Sequence, residues 1–249
     1  MKRASIYLFG IALLIIFSFA CSLTSSLPAQ TGTIMGSGDV ATEERQLSNV
    51  DSVTLSMQGD LTIEIGDQEK IVIEAETNLL PYILTDVRGG SLEVHTRSGK
   101  DLQNTRPIHY YLTVKGLEGL RISSSGNITA PQLNAQRFSV QVSSSGETNI
   151  AALNADQLDV TISSSGNVTI GGGEVAQQDI TISSSGNLYA QDMVSQDANV
   201  RITSSGEAYV RVVNTLDVRT TSSGNVYYYG NPQVNVTNTS SGQVLKQGD

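Results

Sequence analysis

The chain is poor in the groups that usually carry chemistry. Among 249 residues there is one cysteine, Cys21, and there are two histidines, His95 and His109. A lone thiol excludes an internal disulfide, so the fold must rest on apolar burial and hydrogen-bonded ladders. Two histidines without an accompanying carboxylate constellation make a poor metal pair, and both are read as structural. Nucleophile, phosphate-loop and zinc-ligand motifs are missing. Gly171-Gly-Gly-Glu is an isolated glycine run without the aspartates that calcium-binding rolls repeat. Neither a metal nor a cofactor is therefore expected. Basic residues are scarce as well, 15 Lys plus Arg against 24 Asp plus Glu. Such a surface repels phosphate, which argues against nucleic acid as a partner and against a basic patch as a membrane attachment. No segment has the sustained 3.6-residue periodicity of a long amphipathic helix.

The one long apolar run, Ile6 to Ala20, follows Lys2 and Arg3. Its fifteen residues fall short of the roughly 20 that a spanning helix needs, so residues 1–20 read as a signal peptide. Cys21, directly after Ala20, resembles the lipidated cysteine of the bacterial lipobox, although Ser18 and Phe19 stand where that motif prefers an aliphatic and then a small residue. The resemblance implies a lipid on Cys21 that attaches the chain to a membrane. Ordinary signal cleavage is the alternative, and an uncleaved anchor the third reading. Cleavage removes Lys2 and Arg3, leaving 13 basic against 24 acidic groups, a net charge of about −11. Residues 21–46, rich in Ser, Thr, Gly, Pro and Gln, read as a flexible tether.

From Val50 the pattern becomes that of short strands. Val53, Leu55 and Met57, then Leu61, Ile63 and Ile65, then Ile71 and Ile73 alternate with polar residues and are interrupted at Gly59 and Gly66-Asp67. The second half repeats. Ser-Ser-Ser-Gly-Asn at 123–127 has close copies whose turn glycines are Gly126, Gly146, Gly166, Gly186, Gly206, Gly224 and Gly242, spaced by twenty residues four times and then by eighteen twice. A fixed period near twenty with alternating apolar positions is the mark of an all-β solenoid, each coil burying its apolar face against its neighbours. Six residues before the glycines stand Leu120, Val140, Val160, Ile180, Val200, Val218 and Val236, and they point inward with the residues four before and two after. The turn stacks too. Hydroxyls recur from Ser124 to Ser240, and the residue after each glycine is Asn127, Glu147, Asn167, Asn187, Glu207, Asn225 or Gln243, a column suited to hydrogen bonding along the rod. Glycine is expected at the corner for its access to positive φ. The Asn-x-Ser/Thr triplets at Asn127, Asn167, Asn235 and Asn238 belong to this turn pattern.

Three residues after the glycine come Tyr189, Tyr209 and Tyr227, with Tyr229 nearby. They alternate with an inward column, so an exposed tyrosine ladder is expected. It is a candidate ligand-binding stripe for a surface glycan or protein, and cross-strand stacking that merely stabilises the sheet is the other reading. A polysaccharide lyase or hydrolase is the enzymatic rival. It would need two carboxylates about 5 to 10 Å apart, whereas Glu147 and Glu207 share a column three coils, about 14 Å, apart.

Val50-Asp-Ser-Val-Thr-Leu followed by Gly59-Asp-Leu-Thr-Ile-Glu-Ile, Asn78-Leu-Leu-Pro-Tyr-Ile before Gly90-Ser-Leu-Glu-Val, and the serial Ser-Ser-Gly turns resemble the head GIN domain of bacterial cell-surface proteins, the DUF2807 family of putative autotransporter adhesins. The likeness covers most of residues 47–249. It implies a right-handed, single-stranded parallel β-helix, often exported and often lipid-anchored, with residues 47–117 less regular and 118–249 forming the Ser-Ser-Gly coils. The combined expectation is a non-enzymatic binding or structural module of the bacterial envelope, adhesin-like, anchored facing outward or towards the periplasm. The alternatives are a carbohydrate-active β-helix enzyme and an accessory partner in envelope signalling.

Overall fold

The computed structural model describes residues 32–238 and 241–249. The signal segment 1–20, Cys21 and Ser240 lie outside the described residues. The first part holds β1 (Gly32–Met35), β2 (Val40–Gln46), β3 (Ser52–Leu55), β4 (Asp60–Ile65), β5 (Lys70–Glu76), β6 (Ile83–Arg88), β7 (Ser91–Thr96), β8 (Lys100–Gln103) and β9 (His109–Val114), with one 3-10 turn at Leu80–Tyr82. The regular part holds β10 (Gly119–Ile122), β11 (Asn127–Val142), β12 (Glu147–Ile162), β13 (Asn167–Ile170), β14 (Gly173–Ile182), β15 (Asn187–Ile202), β16 (Glu207–Thr220), β17 (Asn225–Tyr229), β18 (Gln233–Asn238) and β19 (Val244–Gly248).

In the regular part successive coils pair in parallel with an offset of twenty, Ile128 opposite Thr148 and Val142 opposite Ile162. The molecule is a β-solenoid, and its interior consists of aliphatic columns. Leu120, Val140, Val160, Ile180, Val200 and Val218 are all buried, as are Ile122, Val142, Ile162, Ile182 and Ile202 beside them. No single coil can bury these side chains, and stacking removes both sides of each from water.

The first part extends these columns in an order the chain does not follow. β3 lies between β7 and β10, and β4 lies between β9 and β11, all in parallel. The coil containing β7 and β9 is thus outermost, although it comes later in the chain than the coil containing β3 and β4. Antiparallel strands then close this end, with β6 on β7, and with β5 on β9 and β2 on β5.

Two expectations are corrected. The flexible tether does not reach residue 46, because Gly32–Met35 pairs with β8 and Val40–Gln46 pairs with β5 over seven residues. The apolar signal there is weak because the strand is held by its backbone ladder and by Arg45, whose guanidinium donates to the Ile83 carbonyl at 2.8 Å and to Thr85 Oγ1 at 3.2 Å. The turn glycines, for their part, are not among the positive-φ glycines, which are Gly38, Gly59, Gly89, Gly90, Gly99, Gly173 and Gly230. Their reason is space. A Cβ on Gly126 would sit 2.7 Å from the Met57 carbonyl oxygen and 2.8 Å from that of Gly59, and one on Gly146, Gly166, Gly186 or Gly206 would run into the carbonyl oxygen of the turn glycine one coil earlier. Glycine lets one corner settle directly on the next.

Between the fifth and sixth turns the period falls from twenty to eighteen. Ala190 still pairs with Val210, then the register slips around Val194 and Asp197, and Val200 again pairs with Val218. The shortening is confined to the side that joins the two sheet faces, so both faces keep their columns.

Candidate functional site

Outward positions on the face formed by β11, β12, β13, β15, β16, β17 and β19 define the candidate site. The inward partners Leu188, Ala208 and Val226 are fully buried, which forces the flanking residues outward. Tyr189, Tyr209 and Tyr227 therefore stand opposite one another in register. Their ring centroids are 5.3 Å and 4.5 Å apart, with interplanar angles of 24° and 16°. These distances match the strand spacing of about 4.8 Å, so each ring lies against its neighbour. All three are half-buried. The expected exposed platform is instead a stacked seam that spends ring faces on itself and presents ring edges and hydroxyls outward. Thr169 precedes it and the exposed Leu245 follows it in the same column.

Glu207 organises the seam. Tyr209 donates its hydroxyl to the Glu207 carboxylate at 3.1 Å and Tyr227 does so at 3.5 Å. Desolvation within the stack, followed by this hydrogen bond to a carboxylate, pushes the Tyr209 phenol up to about 12. Glu207 also belongs to the turn column, where amides bond coil to coil. Asn127 donates to Asp60 at 2.9 Å, Asn187 donates to Asn167 at 3.1 Å, and the Glu207 backbone N–H donates to Asn187 Oδ1 at 3.1 Å. Asn225 of the same column donates to the Glu207 carboxylate at 3.4 Å, so the amide column anchors the group that orients the tyrosines. The sequence places Glu207 in the turn column and makes it half of a candidate catalytic pair, without linking it to the tyrosines. Its position two residues before Tyr209 was the available signal.

Tyr229 lies beside the seam. It pairs with Arg211, whose guanidinium sits 5.2 Å from the ring centroid and donates to the Gln191 carbonyl at 2.9 Å and the Asp249 carbonyl at 2.8 Å. The two histidines face different carboxylates. His95 Nε2 is 3.0 Å from Asp86, and the imidazole contact holds the Asp86 carboxyl below the usual carboxylate range. His109 Nδ1 is 3.8 Å from Asp60. Among the described residues no group of three or more His, Cys, Asp or Glu could hold a metal ion.

One buried acid escaped the sequence analysis. Glu76 is fully buried at the closed end, where it accepts from the Gly38 N–H at 2.6 Å, the Thr105 N–H at 2.8 Å, the Thr105 hydroxyl at 2.6 Å and the Arg106 N–H at 3.3 Å. These donors, the Thr105 hydroxyl foremost, hold its carboxyl down to about 2. Gly36 packs so closely on this carboxylate that a Cβ would overlap it. Glu76 is a clasp that ties two loops to β5. Its only trace in the sequence is a polar residue following the inward Ala75.

A stacked parallel solenoid with hydrogen-bonded turns, one outward aromatic seam and a clasped end defines a protein of the β-helix class. Within that class the chain belongs to the DUF2807 family, described as putative auto-transporter adhesin, head GIN domain, whose model matches residues 49–232. No curated protein sequence matches it. Its fold is similar to the crystal structure of a putative adhesin from Bacteroides fragilis, with a TM-score of 0.81 and 16% identity over 86% of this chain and 100% of that one. A putative lipid binding protein from Parabacteroides distasonis gives 0.73 and 23% over 87% and 100%. A putative adhesin from Parabacteroides merdae gives 0.68 and 20% over 86% and 99%. At these identities the likeness establishes the fold alone. Among the described residues no helix is long and apolar enough to cross a membrane.

Proposed function

We propose that the protein is an exported, non-enzymatic binding module of the bacterial envelope, tethered by a lipid on Cys21, which engages a surface glycan or protein along Tyr189, Tyr209 and Tyr227. The observation that carries this reading is the seam itself. Stacking and Glu207 hold three amphipathic side chains in line before any ligand arrives, which reduces the side-chain entropy lost on binding. Ring edges and hydroxyls in a row suit hydroxyl-rich or peptide surfaces. The family and its structural relatives, named as putative adhesins, point the same way.

The test is the triple variant Tyr189→Phe, Tyr209→Phe, Tyr227→Phe, which keeps the stack and removes the hydroxyls. Retention on envelope extract should fall sharply while unfolding stays cooperative and the melting transition drops only by the small loss of the Glu207 hydrogen bonds. Unchanged retention overturns the seam as a binding site, and release of reducing ends from glycan by the wild-type protein overturns the non-enzymatic reading. Labelling with a fatty-acid analogue that is lost in Cys21→Ala tests the anchor separately.

A further inference from the structure

The other broad face, formed by β7, β3, β10, β11, β12, β14, β15, β16 and β18, carries a second outward pattern. Arg201 on β15 stands directly opposite Arg219 on β16. Among the described residues it is the one register pair that sets a cation against a cation. Like charges opposite one another in a ladder are unfavourable. In a chain with an excess of acids, countercharges should be easy to supply. Four other cations have one, Arg45 on Glu43, Lys70 on Glu44, Arg88 on Asp86 and Lys246 on Asp249.

Arg201 and Arg219 have no such carboxylate within ion-pair distance among the described residues, although acids stand close by. Both arginines line a surface depression of about 380 Å³ together with Asp179, Asp217, Asn199 and Asn235. The carboxylates there are occupied by amides. Asn199 donates to Asp179 at 2.8 Å and Asn235 donates to Asp217 at 2.8 Å. The depression thus has two parallel columns, two residues apart along each strand. One offers guanidinium donors, and the other offers Asp and Asn oxygens with acceptor capacity left over.

We propose that this face binds an acidic polysaccharide of the uronate class, laid along the rod. A guanidinium fork matches a carboxylate in plane and in charge. The Asp and Asn column accepts from sugar hydroxyls, and the repeat of both columns at the strand spacing of about 4.8 Å presents them to a polymer rather than to a single ion. A neutral glycan would satisfy one column and leave the arginine pair without a counterion. The inference rests on the chain being a binding module, but not on the tyrosine seam, which lies on the other face.

The experiment measures binding of the full chain to polygalacturonate, with dextran as the neutral comparison. The test variant is Arg201→Gln/Arg219→Gln. The control, Arg106→Gln/Lys115→Gln, removes the same charge from exposed loop positions at the closed end, off this face. The wild-type protein should bind polygalacturonate and not dextran. The test variant should bind about tenfold more weakly with an unchanged melting transition, while the control variant binds like wild type. Equal loss in the control reduces the effect to net charge and overturns the site. Unchanged binding by the test variant, or wild-type binding to polygalacturonate no better than to dextran, also overturns it. The tyrosine-to-phenylalanine variant keeps its polygalacturonate binding, so failure of the seam and failure of this site are read independently.

Discussion

From Gly119 to Tyr229 each coil rests on an equivalent coil, whereas residues 32–117 use antiparallel strands, a 3-10 turn and a buried carboxylate to finish the stack. The contrast shows how a solenoid handles strand edges, which are templates for unwanted pairing. At the closed end the outer strand β2 carries Glu43, Glu44 and Arg45, and the Glu76 clasp pins the loops over the core. At the other end the inward column runs out into solvent, with Val236 50% exposed where its counterparts one to six coils earlier are at most 3% exposed. The interior coils are interchangeable in their packing, and the ends are individual.

That comparison can be broken at several points. Ile162→Ala, in the middle of a fully buried column, should lower stability by about 3 kcal/mol in denaturant unfolding, while Val236→Ala at the open end changes it by about 0.5 kcal/mol or less. Gly186→Ala places a Cβ 2.7 Å from the Ser164 carbonyl oxygen and should cost about 2 kcal/mol or more through overpacking. Gly89→Ala, which has open space but a φ of +55°, should cost about 1 kcal/mol. Equal losses at the two glycines would mean that corner packing does not dictate the repeat.

The clasp predicts a pH signature confined to the closed end. Because the folded-state carboxyl of Glu76 is lowered to about 2 from an ordinary 4.5, its contribution is complete above about pH 4.5 and is lost as pH falls towards 2. Glu76→Gln should therefore be less stable than wild type at neutral pH, and the gap should narrow on acidification. A gap that stays constant down to pH 2 rules the clasp out. A similarly small effect, like that of Val236→Ala, is expected at the seam. Tyr209→Phe should lose about 0.5 kcal/mol with the Glu207 hydrogen bond. Wild type should weaken more steeply than Tyr209→Phe as pH rises from 10 towards 12, since the folded state favours the neutral Tyr209 phenol. The buried Tyr110 phenol, also pushed up, contributes to both.

How much of this was legible depended on what held each element. The coil period, the aliphatic columns from Leu120 to Val218 and the tyrosine register could be read because side-chain alternation and a fixed spacing determine them. The order of the first two coils could not. β3, β7 and β10 have similar alternation, and nothing local states which lies between the others. β2 was hidden because its partner contacts are backbone and Arg45. The tyrosine seam was located correctly in its column, but its half-burial arises from ring–ring stacking, which spacing alone does not reveal. Arg201 and Arg219 were visible as column members all along. Their meaning depends on Asp179 and Asp217 being occupied by asparagines, a fact of side-chain geometry.

The slip in register between Ala190 and Asp197 carries one more consequence. Two residues are dropped from the repeat without disturbing Tyr209 opposite Tyr227 or Arg201 opposite Arg219, so the connecting side acts as a length buffer between two fixed printed faces. Val213 and Asn214, both exposed on that side, mark where extra loops could be grafted, by evolution or by design, with the spacing of both faces left intact.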